Sequence, residues 1–137
     1  MTVYYTLKPS HIDALHRLYQ QTWWSRGRTR QQTAELVAHS QITIAMTDEA
    51  ERLLAFVRVL TDYTAKALIF DLIVQEEVRG SGLGRELLSL VLSHEALQGV
   101  KDIELYCVPE MVGYYRALGF GDMAAQLSLM RWEAGGR

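Results

Sequence analysis

The chain has 137 residues, of which 49% are hydrophobic and 22% charged, as is ordinary for one globular domain. Its formal net charge of −2 argues against non-specific nucleic-acid binding, which needs a basic face. The single cysteine, Cys107, excludes an internal disulfide, and neither a signal peptide nor a membrane-spanning run is evident. These totals predict one soluble cytoplasmic domain over residues 1–137, with 133–137 as a frayed tail.

The apolar pattern predicts strands and helices in turn along the first half. Ser10 is expected to cap a first helix, and Thr29 with Gln32 forms a capping box for a second. The apolar run at 68–74 is short and ends in turn residues before the glycine-rich residues 79–85, which indicates a buried strand. The predicted strands lie at 3–7, 42–46, 53–60 and 67–75.

The second half predicts a further alternation. Glycine is common just after a helix, so Gly99 and Gly119 are each expected to follow a helix end. The predicted elements are a helix at 83–97, a strand at 102–108, a helix at 109–118 and strands at 121–123 and 127–132. The sum is a mixed α/β domain of about seven strands and four helices.

A glycine-rich loop joins the buried strand to the helix after it. It reads Arg79-Gly80-Ser81-Gly82-Leu83-Gly84-Arg85. Glycines let the backbone approach a ligand, and helix N-terminal amides favour anions, so the loop predicts a phosphate site with arginines on both sides. It is not a P-loop, which needs lysine after the last glycine, nor a dinucleotide fingerprint, which needs a small residue at Arg85. The alternative is an ordinary turn with surface arginines.

This loop resembles the Arg/Gln-x-x-Gly-x-Gly/Ala motif of the GCN5-related N-acetyltransferase (GNAT) family. Downstream, the stretch from Tyr114 to Phe120 resembles the family's helix that ends in Tyr-x-x-x-Gly-Phe. The resemblance implies a single-domain bacterial member with a twisted, mostly antiparallel sheet, splayed between the strands at 67–75 and 102–108. It also implies an acetyl-CoA-dependent N-acetyltransferase that acetylates a primary amine directly in a ternary complex and releases CoA.

The resemblance assigns the site residues as well. The backbone of the central strand would bind the pantetheine arm, which requires a bulge or splay there, and the loop would bind the pyrophosphate. Tyr115 would protonate the leaving thiolate, because a phenol with a pKa near 10 suits that task; the alternative places it on an apolar helix face. The implied cofactor-binding residues are Leu72, Ile73, Val74, Arg79, Gly80, Ser81, Gly82, Leu83, Gly84 and Arg85.

The general base is left open. Phe70 stands where some family members carry glutamate, and Val108 where many carry an asparagine that contacts the cofactor. Asp71 is a lone carboxylate in an apolar strand, so it must be paired, have a shifted pKa or reach a cavity. Glu104 and ordered water are the other candidates.

Two tryptophans are candidates for the acceptor site, and the histidines are considered as metal ligands. Trp23 and Trp24 either line the acceptor site beside Arg28, where they would favour an arylalkyl or cationic amine, or fill the core. The four histidines have no partners at ligand spacing, so no metal site is predicted.

The sequence is also compatible with two other functions and with a homodimer. One is an acyl-CoA-binding sensor or partner module with little catalysis, and the other is a protein-lysine acetyltransferase. A homodimer through the terminal strands is also open.

Overall fold

The computed structural model describes residues 1–135, and within them five strands form one sheet in the order β1-β2-β3-β4-β5. Neighbours from β1 to β4 are antiparallel, and β5 is parallel to β4. The strands are β1 (Thr2–Tyr4), β2 (Ile42–Thr47), β3 (Leu53–Thr61), β4 (Lys66–Val74) and β5 (Asp102–Glu104). The helices of the described residues are α1 (Pro9–Tyr19), α2 (Arg30–Ala38), α3 (Leu83–Leu92) and α4 (Val112–Ala117). The predicted α/β class with a mixed, mostly antiparallel sheet and four helices is confirmed.

The chain divides into two compact units. The first, Met1–Leu105, holds the whole sheet and α1 to α3, and the second, from Tyr106 onward, holds α4. A single domain over residues 1–137 stays a prediction. The frayed tail expected at 133–137 ends in two residues that lie outside the described part of the chain.

Local sequence explains how the first two helices begin. Thr29 Oγ1 accepts a hydrogen bond from Gln32 N at 3.0 Å, and Gln32 Oε1 accepts from Thr29 N at 2.9 Å, which confirms the capping box of α2. The expectation that Ser10 caps α1 is wrong. Pro9 takes the first helical position, where its missing N–H costs nothing, and His11 Nδ1 accepts from Lys8 N at 3.1 Å.

Apolar faces of two helices form the core of the first unit with the sheet. Leu15, Leu18 and Tyr19 of α1 are fully buried and belong to one cluster with Phe56 and Ile73. Helix α3 packs against β3 and β4, and residues at helical spacing form its buried face. These are Leu83, Leu87, Leu88 and Val91.

Several predicted elements differ in the structure, and the first strand ends at Tyr4 rather than at 7. The strands expected at 121–123 and 127–132 do not form; a turn, in which Gln126 N and Leu127 N donate to Met123 O, occupies the space between them. Helix α3 ends at Leu92 rather than 97, because His94 Nδ1 caps a separate 3₁₀ turn by accepting from Ala96 N.

The last strand of the sheet is also shorter than the predicted 102–108. Strand β5 pairs with β4 only at residues 66–68 and 102–104. In the described chain, residues 71–74 of β4 therefore have a neighbouring strand on the β3 side alone.

Candidate active site

A β-bulge interrupts the central strand. Arg58 of β3 pairs with Phe70 and Phe56 pairs with Ile73, so Asp71 and Leu72 together face one residue of β3. The backbone of Asp71 is left-handed, with φ of +57°, a conformation that aspartate adopts more readily than most residues. A bulge leaves its extra residue out of the ladder and bends the strand. The structure thus has the irregularity that the sequence resemblance requires beside Leu72, Ile73 and Val74.

Four side chains meet at the bulge, and we name them the arginine cluster: Tyr19, Arg28, Arg58 and Asp71. Arg58 Nε donates to Asp71 Oδ2 at 2.7 Å, and Arg28 Nη1 donates to the same oxygen at 2.8 Å. Tyr19 OH donates to Oδ2 at 2.9 Å, and Arg28 Nη2 reaches Oδ1 at 3.4 Å. The cluster therefore joins the end of α1, the α1–α2 loop, β3 and β4.

The cluster fixes the protonation of its members. Burial favours the neutral carboxyl of Asp71, but the hydrogen bonds and charges of Arg28 and Arg58 outweigh it and hold its pKa below the ordinary value. Burial and the Asp71 charge raise the pKa of the Tyr19 hydroxyl, so it stays protonated. Asp71 is thus an ionised carboxylate held by two guanidinium groups, and its lowered pKa makes it a poor general base.

Sequence reasoning missed the partners of Asp71 although a signal was present. Arg58 is the single charged residue of β3, LLAFVRVLT, just as Asp71 is the single acidic residue of β4. Opposite charges on neighbouring apolar strands indicate an ion pair. The contribution of Arg28 from a distant loop has no such signal.

The glycine loop, residues 79–85, has the backbone expected of an anion site. Gly80 and Gly82 are left-handed, with φ of +81° and +90°, and Gly82 is the residue before α3. A 3₁₀ turn at Glu76–Val78 precedes the loop, and Ser81 Oγ donates to Val78 O. The loop conformation therefore depends on glycine at two positions.

The loop also fits a phosphate group by its open space. A Cβ atom built on Gly80 or Gly82 meets nothing within 4 Å, and the first-turn amides of α3 have no acceptor within the helix. Arg79 and Arg85 are both exposed, and Arg79 Nε donates to Val74 O at 3.0 Å. Leu83 is buried in the core, so only its backbone is available to a ligand.

Both tryptophans lie on the surface, so the alternative that they fill the core is wrong. Trp23 is 70% exposed and Trp24 39%. Trp24 meets Tyr19 edge to face, with ring centroids 6.4 Å apart, and the Arg28 guanidinium lies 5.6 Å from the Trp24 ring centroid. Arg28 also lines an open concavity of about 450 Å³.

The second unit holds the proposed acid. Tyr115 lies on α4 and is half-buried, with its ring centroid 5.1 Å from that of Tyr114 and 6.0 Å from that of Phe120. Burial, with smaller effects of Tyr114 and Cys107, raises the pKa of Tyr115 to about 12. Burial and the Asp122 charge raise the pKa of the Cys107 thiol, which does not suit a nucleophile.

Glu104, the remaining candidate base, lies in an ion pair. Glu104 accepts from Lys66 Nζ at 2.8 Å, beside the Asp102 carboxylate at 3.2 Å. Across residues 1–135, no three His, Cys, Asp or Glu side chains are grouped to hold a metal ion. Nor does any helix in this range have the length and apolar character needed to cross a membrane.

Comparison with known proteins identifies the family. The family model described as "Acetyltransferase (GNAT) family" matches residues 8–120, and the chain belongs to this family. Serotonin N-acetyltransferase 2, chloroplastic, of Oryza sativa subsp. japonica is 30% identical over 112 residues, which are 80% of this chain and 56% of that protein. The chain spans a little more than half the length of this relative and of GCN5-related N-acetyltransferase 1, chloroplastic, of Arabidopsis thaliana.

Solved structures agree on the fold. A GNAT-family structure from Xanthomonas campestris pv. campestris is 29% identical, with a TM-score of 0.81 over 99% of this chain and 96% of that one. An aminoglycoside 6'-N-acetyltransferase complexed with coenzyme A is 21% identical, with a TM-score of 0.66 over 77% of this chain and 61% of that one. At this lower identity the likeness concerns the fold alone.

Proposed function

We propose that this chain is an acetyl-CoA-dependent N-acetyltransferase that acetylates a primary amine directly, in a ternary complex. The observation that carries the proposal is the continuous segment formed by β4, its bulge, the glycine loop and α3. It combines an interrupted strand, two left-handed glycines and a helix N-terminus within the short stretch from Asp71 to Arg85. Family membership supports the same activity.

Different parts of this segment would bind different parts of the cofactor. The pyrophosphate would be held by the two arginine side chains at 79 and 85 and by backbone amides of the glycine loop. These amides belong to Gly80, Ser81, Gly82, Leu83, Gly84 and Arg85. On the side away from β3, β5 does not pair with Leu72, Ile73 and Val74, so their backbone groups there are available to an extended ligand. Val74 O is the exception, because it accepts from Arg79 Nε. When bound, acetyl-CoA supplies the activated acetyl group.

Proton transfer would involve Tyr115 and water. With its pKa raised to about 12, Tyr115 is protonated at neutral pH and acts as a donor, not a base. The raised pKa makes the phenol a weaker acid than an exposed tyrosine. Its contribution to the rate is therefore smaller than that of an acid whose pKa matches the working pH. Asp71 is held by two guanidinium groups and Glu104 pairs with Lys66, and we therefore assign deprotonation of the amine to ordered water.

The first experiment combines ligand binding with catalysis. Thermal unfolding is followed with acetyl-CoA, CoA or NADH, and thiol release is screened over small amines and lysine peptides. A ligand at 100 times its Kd stabilises the fold by about 2.7 kcal/mol. Stabilisation by CoA species with thiol release supports the proposal. Stabilisation without release favours an acyl-CoA sensor, release with peptides alone favours a protein-lysine acetyltransferase, and no stabilisation contradicts the loop assignment.

Replacement of Tyr115 tests the acid. We expect Tyr115→Phe to lower turnover by about 10- to 1000-fold with little change in the KM for acetyl-CoA, because only proton transfer is lost. Tyr114→Phe is the matched control, since it removes the neighbouring hydroxyl, and its turnover should stay near the wild-type value. Unchanged turnover in Tyr115→Phe would return this residue to a packing role.

Two further expectations remain proposals. A cytoplasmic location is one; two of the curated relatives are named as chloroplastic proteins. A homodimer is the other.

A further inference from the structure

The arginine cluster holds one more positive charge than negative charge. Arg28 and Arg58 are permanently charged, Asp71 supplies one negative charge, and the Tyr19 hydroxyl is neutral. The Arg58 side chain is 14% exposed and that of Arg28 is 25% exposed. Because an unbalanced charge at this depth is poorly solvated, the cluster favours an anion beside it.

Arg28 has hydrogen-bond donors left over. A guanidinium offers five N–H groups, and Asp71 takes one from each Nη atom. Within the described part of the chain, the other N–H groups of Arg28 donate to no protein acceptor. Arg28 also borders the open concavity of about 450 Å³ beside α2.

The other residues that line this concavity do not cancel the excess charge. They come from one face of α2: Gln32, Glu35, Leu36 and His39. Glu35 is the single carboxylate among these lining residues, and it is exposed and accepts from Gln31 Nε2 at 3.2 Å. Water and salt screen an exposed carboxylate, so its effect on the buried cluster is small.

The aromatic rings beside Arg28 are already in contact with a cation. The Arg28 guanidinium lies 4.5 Å from the ring centroid of Tyr19 and 5.6 Å from that of Trp24. A cationic group on the acceptor would compete for the same rings against a fixed like charge. The structure therefore argues against the cationic acceptor that the two tryptophans indicate in the sequence.

We propose that the acceptor amine carries a carboxylate and that Arg28 binds this carboxylate; the inference rests on the proposed acetyltransferase function. One carboxylate balances the one excess charge, whereas a phosphate monoester brings −1.5 to −2. Carboxylate oxygens also match the planar fork of donors that a guanidinium presents. Arg28 is thus a specificity-determining residue rather than a catalytic one.

The test compares acceptors that differ only in the carboxylate. Thiol release from acetyl-CoA is measured for pairs such as phenylalanine with phenethylamine, glutamate with 4-aminobutyrate, and lysine with cadaverine. We expect the best acceptor to be the more carboxylated member of its pair, with a kcat/KM about 10- to 100-fold higher, as a charge-assisted hydrogen bond provides. This comparison uses the wild-type chain and depends on no variant.

A variant then assigns the preference to Arg28. Arg28→Met leaves Arg58 and Asp71 as a neutral pair, so the preference should fall to near parity while the KM for acetyl-CoA stays near the wild-type value. Arg26→Met removes an exposed arginine of the same loop and should keep the full preference.

The outcomes separate the two proposals. Transfer without a carboxylate preference, or a preference that survives in Arg28→Met, overturns the inference and leaves the acetyltransferase standing. If no amine of either kind releases thiol, the acetyltransferase proposal fails, and this inference fails with it.

Discussion

The glycine loop and the arginine cluster are both polar regions of the first unit, but they are built in opposite ways. The loop consists of contiguous residues, is exposed and offers mainly backbone groups. The cluster brings together side chains from four elements, and its central Asp71 side chain is only 6% exposed. Local conformation thus determines the first region, and long-range packing determines the second.

The two regions should therefore be sensitive to different kinds of substitution. The conformation of the loop depends on glycine at two left-handed positions. The cluster depends on the balance of charge, because each member neutralises or orients another. Substitutions should therefore affect cofactor binding at the loop, and folding stability as well as the acceptor preference at the cluster.

The largest effect is expected from a side chain in the loop. Gly82→Glu places a carboxylate before the first turn of α3, in a conformation that disfavours any side chain, and should abolish acetyl-CoA binding. Isothermal titration should show a Kd raised by at least ~10⁴-fold, or more than about 5.5 kcal/mol.

A control separates charge from position in that test. Gly99→Glu makes the same change at a glycine where φ is not left-handed and a Cβ meets nothing within 4 Å. It should bind acetyl-CoA like the wild type. Normal affinity in Gly82→Glu would mean that the loop is not the phosphate site.

The second effect concerns the cluster. Asp71→Ala leaves two guanidinium groups without their shared carboxylate, and loss of one partner from a buried ion pair costs about 3 to 5 kcal/mol. Urea denaturation should show this loss, and Asp71→Ala with Arg28→Met should recover part of it, because the second change removes one uncompensated charge. If the double variant is less stable by the sum of both losses, the two residues are not coupled.

The smallest effect is a pH dependence of stability. The pKa of Asp71 is lower in the folded chain, so its contribution is complete above its ordinary pKa of about 3.9 and is lost as the pH falls through the folded value. The difference in unfolding free energy between wild type and Asp71→Asn should be constant from pH 7 to about 5 and narrow below about pH 4. A difference that stays constant to pH 2.5 would contradict a lowered pKa.

The contrast between the two regions also explains how far the sequence predicts the structure. The glycine loop and the Thr29 cap depend on neighbours in the chain, and the sequence places both. The bulge at Asp71 depends on the pairing of β3 with β4, and the exposure of Trp23 depends on how the α1–α2 loop lies on the fold. Such features arise from tertiary contacts that periodicity does not encode.

The two absent strands follow the same rule. Residues 121–123 and 127–132 have an apolar pattern, but a strand forms only where a partner supplies the other half of the ladder. In the described chain neither stretch forms a strand, and Leu129 and Met130 are 69% and 88% exposed. The apolar pattern indicated a strand, but pairing decides whether one forms.

The edge of β4 beyond its pairing with β5 has a consequence for hydrogen exchange. Backbone groups of residues 71–74 that point away from β3 have no strand to bond with in the described residues. Amides on this side of 71–74 should exchange with solvent faster than those bonded to β3. A ligand that lies along this edge as an added strand would slow exchange in these amides and leave the β2–β3 ladder unchanged, so deuterium uptake can locate the cofactor without altering a residue.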